Sequence, residues 1–254
     1  MPVWRHRRRS ARYHRVSPIQ PPTIVAIETT AEHGSVALLY AGSMRQQNLP
    51  LVHRNAERAL ESIRDLLQAH RLELARVDAI AFASGPGAFT GLRVGCALAQ
   101  GLAFGCDRPV IPVSSLRALA LRAGALPGAR VLAATDARMG QVYWAVFEAS
   151  ATMRTLSPAA LADPAQLEDI VRRWHPGVIA GDGLKFFDVQ AMMLADPIRC
   201  PQARADAAAV AELGACDWAE GRVLQARDAA PDYVRDRVAL TVAQRRSAAV
   251  ESGA

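Results

Sequence analysis

Short apolar runs alternate along most of this chain with segments whose apolar residues recur at helical spacing. The short runs are rich in β-branched and aliphatic residues and end at turn residues, which predicts strands. These strands lie at 23–30, 35–40, 44–51, 78–83, 109–113, 130–135, 141–147 and 177–180. Apolar residues three and four positions apart predict helices. These helices lie at 59–67, 90–105, 164–174, 184–194 and 206–220, and another begins at Ser114 or Ser115.

The order of these elements repeats in part along the chain. A strand meander is followed by a helix, a strand and a helix, and a similar series begins near residue 130. This order predicts an α/β protein of two related lobes. We expect a first lobe at 23–112, completed by residues 231–242, and a second lobe at 113–230. We expect a disordered basic extension at 1–22 and a flexible tail at 243–254.

The composition is typical of a globular protein with a substantial core, since 51% of the 254 residues are hydrophobic and 21% are charged. The net charge of +6 is confined to one end, because residues 1–22 carry six arginines and no acidic residue. Subtracting these six from the 30 basic residues leaves 24, which equals the 24 acidic residues. The body therefore shows no evident basic surface for nucleic acid. The extension is either an RNA-binding tail or a disordered segment without such a role.

Several classes of function lack support in the sequence. No apolar run reaches the roughly 18 residues of a membrane span. The four cysteines form no Cys-x-x-Cys pair and no Cys/His cluster, which is typical of reduced thiols in a cytosolic protein. The histidines of the body are scattered, and no motif for a serine hydrolase or a zinc protease is present. We therefore expect no metal and no cofactor.

A glycine-rich segment at 85–95, GPGAFTGLRVG, joins a predicted strand to a predicted helix. Such a junction can cradle a phosphate, because unpaired N–H groups at the start of a helix attract anions. On this interpretation, the residues close to a nucleotide or phosphate are Glu28, Thr29, Thr30, Gly85, Gly87 and Asp136. The absence of a Gly-Lys-Ser/Thr phosphate loop weakens the interpretation.

The alternative is a packing surface. Small residues recur every four positions on the helix after the glycine segment, at Gly91, Gly95, Ala99 and Ala103. Such a ridge lets another helix approach closely. A preceding helix adds an apolar stripe at Ala59, Leu60, Ile63 and Leu67. The two helices are therefore predicted to form a partner interface, although a neighbour within the same chain is the default.

Four motifs together resemble the TsaB family closely. They are AIETT at 26–30, GPGAFTGLRVG at 85–95, DARMGQVYW at 136–144 and PDYVR at 231–235. The resemblance covers residues 23–238 in the family's order. It implies the two-lobed fold of acetate kinases, sugar kinases, heat-shock proteins and actin, with mixed sheets flanked by helices.

The resemblance also implies a function. The chain would be a non-catalytic scaffold for TsaD, the transferase that builds threonylcarbamoyladenosine beside the tRNA anticodon. TsaE, an ATPase, would join the assembly, and the chain alone would form a homodimer. Transfer RNA would be contacted only through the complex. No catalytic residue and no metal ligand is expected in this chain.

The expectation that the chain is not catalytic rests on two positions. TsaD-like proteins have a His-x-x-x-His metal pair in the segment after the strand that follows the glycine helix. The matching positions here are Ser115 and Leu119, which cannot replace two imidazoles. The family usually has Asp where this chain has Glu28, which weakens a role for that turn in placing a metal. A nucleotide hydrolase or kinase using Glu28 and Asp136, and a metallopeptidase-like protein, are the alternatives.

Overall fold

The computed structural model describes residues 21–31, 34–50, 55–187 and 197–235. The predicted extension at 1–22 lies almost entirely outside these residues. The tail at 243–254, and residues 236–242 of the segment expected to complete the first lobe, lie outside them as well. Among the described residues, no helix is both long enough and apolar enough to cross a membrane.

Within the described residues, ten strands form two sheets of five. The first sheet contains β1 (Ile24–Glu28), β2 (Ser35–Tyr40), β3 (Ser43–Asn48), β4 (Ala79–Gly85) and β5 (Val110–Ser114). The second contains β6 (Arg130–Arg138), β7 (Gln141–Glu148), β8 (Arg154–Ala162), β9 (Val178–Ala180) and β10 (Ile198–Cys200). The helices are α1 (Asn55–Ala69), α2 (Phe89–Cys106), α3 (Ser115–Arg122), α4 (Leu167–Trp174) and α5 (Ala207–Ala219).

The two sheets have one topology. The first has the order β3-β2-β1-β4-β5 and the second the matching order β8-β7-β6-β9-β10. In each, the central strand pairs antiparallel with the next strand along the chain and parallel with a later one. The repeat predicted from element order is therefore confirmed, and so is the α/β fold of two mixed sheets flanked by helices.

The layers explain why the central strands are apolar throughout. On β1, Ile24 and Ala26 face a core shared with α3, α5 and the second sheet. Val25 and Ile27 face the opposite core, beneath α1 and α2. A strand covered on both faces needs apolar residues at successive positions rather than alternating ones. Helix α4 covers the outer face of the second sheet.

The sequence pattern missed β8 and β10. Strand β8 is a partly exposed edge strand with Pro158 in its interior, so its apolar periodicity is weak. Of the helix predicted at 184–194, residues 188–194 lie outside the described residues, and the described part falls within a short 3₁₀ helix at Asp182–Phe186 and the residue after it. Helix α5 lies within the expected second lobe but packs on β1 and β2, and the Ala207 N–H donates to Ser35 Oγ at 2.9 Å. The limits set for the lobes remain a prediction.

Candidate partner surface and interlobe cleft

The glycine-rich segment packs against the end of β1 in its own lobe. The Ala88 N–H donates to the Thr30 carbonyl at 3.1 Å, and Thr29 Oγ1 donates to the Gly91 carbonyl at 2.7 Å. A Cβ on Gly91 would lie 1.8 Å from the Thr29 carbonyl oxygen, and one on Gly95 would lie 2.6 Å from Thr29 Oγ1. The close neighbour of these glycines is therefore the chain's own turn.

This contact corrects most of the predicted partner interface. Ala59, Ile63, Leu67, Gly95, Ala99 and Ala103 are buried, and Gly91 is half-buried under Thr29. The side chains of the alanines, Ile63 and Leu67 fill the core between the first sheet and the helices α1 and α2. Of the eight predicted residues, Leu60 is exposed, with 43% of its surface accessible. Most of the predicted residues therefore lie in the core, and a partner interface on these two helices remains a prediction.

The outer side of α2 is apolar as well. Ala97, Gly101 and Phe104 are exposed at helical spacing, and Phe104 is 83% accessible. Gly101 would gain no neighbour within 4 Å if it carried a Cβ. From residue 94 to 106 the helix has no charged side chain, and Leu98 and Leu102 are half-buried beside this face. We call Ala97, Gly101 and Phe104 the outer face of α2.

Glu28 closes the β1 turn from inside the protein. Its side chain is fully buried, and its Oε1 accepts hydrogen bonds from the Thr30 N–H at 2.6 Å, Thr30 Oγ1 at 2.5 Å and the Ala31 N–H at 3.1 Å. Its Oε2 has no hydrogen-bond partner among the described residues. Burial raises the pKa of Glu28 to about 7, against the opposing effect of these hydrogen bonds. The carboxyl therefore acts as a turn-stabilising group.

Asp136 is placed differently, near the end of β6. Its Oδ2 accepts a hydrogen bond from Lys185 Nζ at 2.6 Å, and its Oδ1 accepts one from the Arg138 N–H at 2.7 Å. Partial burial pushes the pKa of Asp136 upward, but these donors and their positive charge outweigh burial and lower it. Asp182 receives hydrogen bonds from Thr135 Oγ1 and the Asp136 N–H. Sequence reasoning missed Asp182 and Lys185, although the Gly-Asp-Gly after strand β9 was a signal.

A cavity of about 360 Å³ lies between loops of the two lobes. Of the residues predicted to lie near a phosphate, Thr30, Gly87 and Asp136 line it. The other three, Glu28, Thr29 and Gly85, are buried in the first lobe and are not among its lining residues. The structure thus divides this group of six rather than gathering it around one ligand.

The positions compared with the metal pair of TsaD-like proteins are taken up by contacts within the chain. Ser115 Oγ lies 3.1 Å from Thr30 Oγ1 and is buried. Leu119 is buried one turn later on α3, where its Cδ1 would lie 2.9 Å from a Cβ at Gly181. Across the described residues, no three His, Cys, Asp or Glu side chains are grouped to hold a metal ion.

Comparisons with known proteins give a TsaD family model and relatives named TsaB. Residues 51–192 match the family model described as TsaD, tRNA N6-adenosine threonylcarbamoyltransferase. The TsaB protein of Escherichia coli is 33% identical over 240 residues, which cover 85% of this chain and 96% of that protein. The TsaB protein of Haemophilus influenzae is 48% identical over 127 residues, but these cover only 50% of this chain and 54% of that protein.

Solved structures give the same result. YeaZ from Pseudomonas aeruginosa is 37% identical, with a TM-score of 0.73 over 84% of this chain and 99% of that one. A second P. aeruginosa structure, described as similar to the peptidase YeaZ, is 37% identical with a TM-score of 0.75 over 84% of this chain and all of that one. The chain belongs to the TsaB family of tRNA threonylcarbamoyladenosine biosynthesis proteins.

Proposed function

We propose that this chain is a non-catalytic subunit of the assembly that adds threonylcarbamoyl to the adenosine next to the anticodon, in tRNAs that read codons beginning with A. The names of its relatives support the pathway. In this role it supports a TsaD-like transferase together with a TsaE-like ATPase, in the cytoplasm. It contacts tRNA only through the complex.

The outer face of α2 is the observation that carries this proposal. The exposed side of this 18-residue helix carries Ala97, Gly101 and Phe104, with no charge from residue 94 to 106. An exposed apolar surface of this kind can be covered by a partner. Its small residues allow a second helix to approach closely. A partner with a related fold would present a related helix, because this chain itself matches the TsaD family model. Two copies of this chain would pair through the same face in a symmetric dimer.

The lack of catalysis is supported by α3. The Ser115 hydroxyl is hydrogen-bonded to that of Thr30, and Leu119 packs beside Gly181. Neither position therefore offers a metal ligand with the character of imidazole. This argues against the metallopeptidase-like alternative. The hydrolase or kinase alternative required Glu28 beside the nucleotide, but Glu28 is buried beneath the β1 turn and does not line the interlobe cavity.

Reconstituted tRNA modification tests the proposal. Gly101→Arg places a charge on the outer face of α2 without a clash and with better helix propensity. We expect the variant to fold normally and to lower modification by about thirtyfold or more at limiting subunit concentration, the loss typical of a disrupted interface centre.

Leu126→Arg is the matched control, because Leu126 is also an exposed apolar residue, 78% accessible, but lies outside the helix pair. The assembly that contains Leu126→Arg should modify tRNA at the wild-type rate. Wild-type modification by a folded Gly101→Arg protein would refute the proposed partner surface. Steady ATP turnover by the purified chain alone, abolished by Asp136→Ala, would instead support the enzyme alternative.

A further inference from the structure

The segment at residues 229–235 lies along the cleft between the lobes. Its first part is bound to the first lobe. The Asp232 N–H donates to the Ser84 carbonyl at 2.7 Å, and Gln100 Nε2 donates to the Ala229 carbonyl at 3.0 Å. Gly85 is needed for this approach, because it has a φ of +128° and a Cβ there would lie 2.6 Å from the Asp232 carbonyl oxygen.

Tyr233 attaches the segment to the beginning of α2. Its ring lies 5.7 Å from the ring of Phe89, measured between centroids. Its hydroxyl accepts a hydrogen bond from Arg93 Nε at 3.1 Å, and the Arg93 guanidinium lies 3.9 Å from the Phe89 ring centroid. Two aromatic rings and one guanidinium therefore form a single cluster at this end of the helix.

Arg235, two residues later, attaches the segment to the second lobe. Its Nη2 donates to Gln141 Oε1 at 2.7 Å and approaches the Arg138 carbonyl oxygen at 3.4 Å. Its guanidinium also lies 6.0 Å from the ring of Tyr143. These partners belong to the hairpin of β6 and β7. Within three residues the chain therefore passes from contacts with α2 to contacts with the second sheet.

We propose that residues 229–235 are a latch that fixes the second lobe relative to α2, and that Arg235 is the residue that closes it. Charge-assisted hydrogen bonds hold Arg235 at the hairpin, while packing and main-chain bonds hold the preceding residues at the first lobe. The latch keeps the outer face of α2 in one orientation relative to the second lobe. Its effect on partner binding rests on the proposed function, but the latch itself does not.

Hydrogen exchange on the isolated full-length chain tests the latch directly. In Arg235→Ala, we expect amides at 136–143 and 226–235 to exchange about tenfold faster, because a hydrogen bond from a charged group is lost at the hairpin. Gln141→Ala should reproduce part of this change from the other side of the contact. The double variant should exchange less than additively faster, because the two substitutions share the Arg235–Gln141 hydrogen bond, while Gln141 Nε2 also donates to Asp163 Oδ1 at 2.9 Å.

Arg227→Ala is the control, since Arg227 is an arginine of the same stretch of chain whose side chain is 76% accessible and forms an ion pair with the adjacent Asp228. Its exchange should match the wild type. Wild-type exchange in Arg235→Ala, or additive effects in the double variant, would overturn the latch. If wild-type protein fails to bind a TsaD-like partner while Arg235→Ala still loosens both segments, the latch stands and the proposed function falls.

Affinity for the partner gives the second readout. Arg235→Ala should bind a TsaD-like protein about tenfold more weakly than the wild type and Arg227→Ala, with its melting transition still cooperative. Faster hydrogen exchange in Arg235→Ala with unchanged affinity for the TsaD-like protein would show that the latch does not position α2 for its partner. That result would contradict this part of the proposal.

Discussion

The two sides of α2 have similar composition and different roles. The inner side carries Gly91, Gly95, Ala99 and Ala103, and the outer side carries Ala97, Gly101 and Gly105 together with Phe104. The inner residues meet the β1 turn and the first core. A Cβ on Gly101 or Gly105 would meet nothing within 4 Å. Small residues thus serve a contact within the chain on one side and leave an accessible apolar surface on the other.

The difference teaches that a stripe of small residues shows only that something approaches closely. In this chain, what approaches the inner side is Thr29, which lies 62 residues before Gly91. The outer side has no such neighbour within the described chain, so its apolar character calls for a separate explanation. The partner surface that we propose lies on the outer side, which the described chain leaves accessible.

Among substitutions on the two sides of α2, Ala99→Arg should change the stability of the fold most. Ala99 is fully buried in the first core, so the substitution buries an unpaired charge and overfills the space beneath α2. We expect a loss of about 5 kcal/mol or more, enough to unfold a domain of ordinary stability. Chemical denaturation or recovery of soluble protein measures this. A cooperative, wild-type transition would show that the inner side is not the core.

Gly91→Ala should have the next largest effect. The added Cβ would lie 1.8 Å from the Thr29 carbonyl oxygen, and a main-chain atom cannot move aside as a flexible side chain can. We expect a destabilisation of about 2–3 kcal/mol, measured by urea unfolding. Unchanged stability would mean that the β1 turn does not rest on this glycine.

Glu28 should make the stability of that turn depend on pH. Its pKa is about 7 in the folded protein, and in the unfolded chain it has the usual value near 4.5. The unfolded state therefore loses its proton first as pH rises. The stabilisation is complete below about pH 4.5 and falls through pH 7.

Between pH 5 and pH 8, wild-type protein should lose about 2–3 kcal/mol more stability than Glu28→Gln, which cannot ionise. Urea unfolding of both proteins at the two pH values gives the difference. Parallel pH dependence in the two proteins would show that the buried carboxyl is already ionised.

Gly101→Ala should change the stability least, and it should stabilise the protein where Gly91→Ala destabilises it. The position is exposed, lies inside a helix and has space for a methyl group. Alanine should stabilise α2 by about 0.5–1 kcal/mol, because glycine is the poorer helix former. Thermal unfolding of both variants should show a higher melting temperature for Gly101→Ala and a lower one for Gly91→Ala than for the wild type. Equal destabilisation by both substitutions would remove the distinction between the two sides.

The sheets were largely predictable from sequence, because the covered strands carry uninterrupted apolar runs such as residues 24–27 of β1 and 79–83 of β4. The orientation of α2 was not predictable. Between Thr90 and Cys106 its only strongly polar side chains are Arg93 and Gln100, so hydrophobic periodicity offers little contrast between faces. The decision depends on the Thr29–Thr30 turn, which is distant in sequence.

The candidate site was also predictable only in part. Glu28 and Asp136 were both predicted from their positions after β runs, and each lies at the end region of a central strand. Their depth was not predictable, because it depends on partners far along the chain. Asp136 meets Lys185, 49 residues later, whereas Glu28 bonds only to its own turn among the described residues. One carboxyl is therefore buried with a raised pKa, and the other is paired with a lowered one.

Binding of Ala97→Arg to a TsaD-like protein of the same source, measured by calorimetry beside the wild type, tests the central claim most directly. Ala97 is exposed on the outer face of α2, and arginine is a good helix former, so the variant should fold with wild-type stability. The account predicts that the wild type binds and that Ala97→Arg binds at least about thirtyfold more weakly. Equal affinity of the two folded proteins would contradict it.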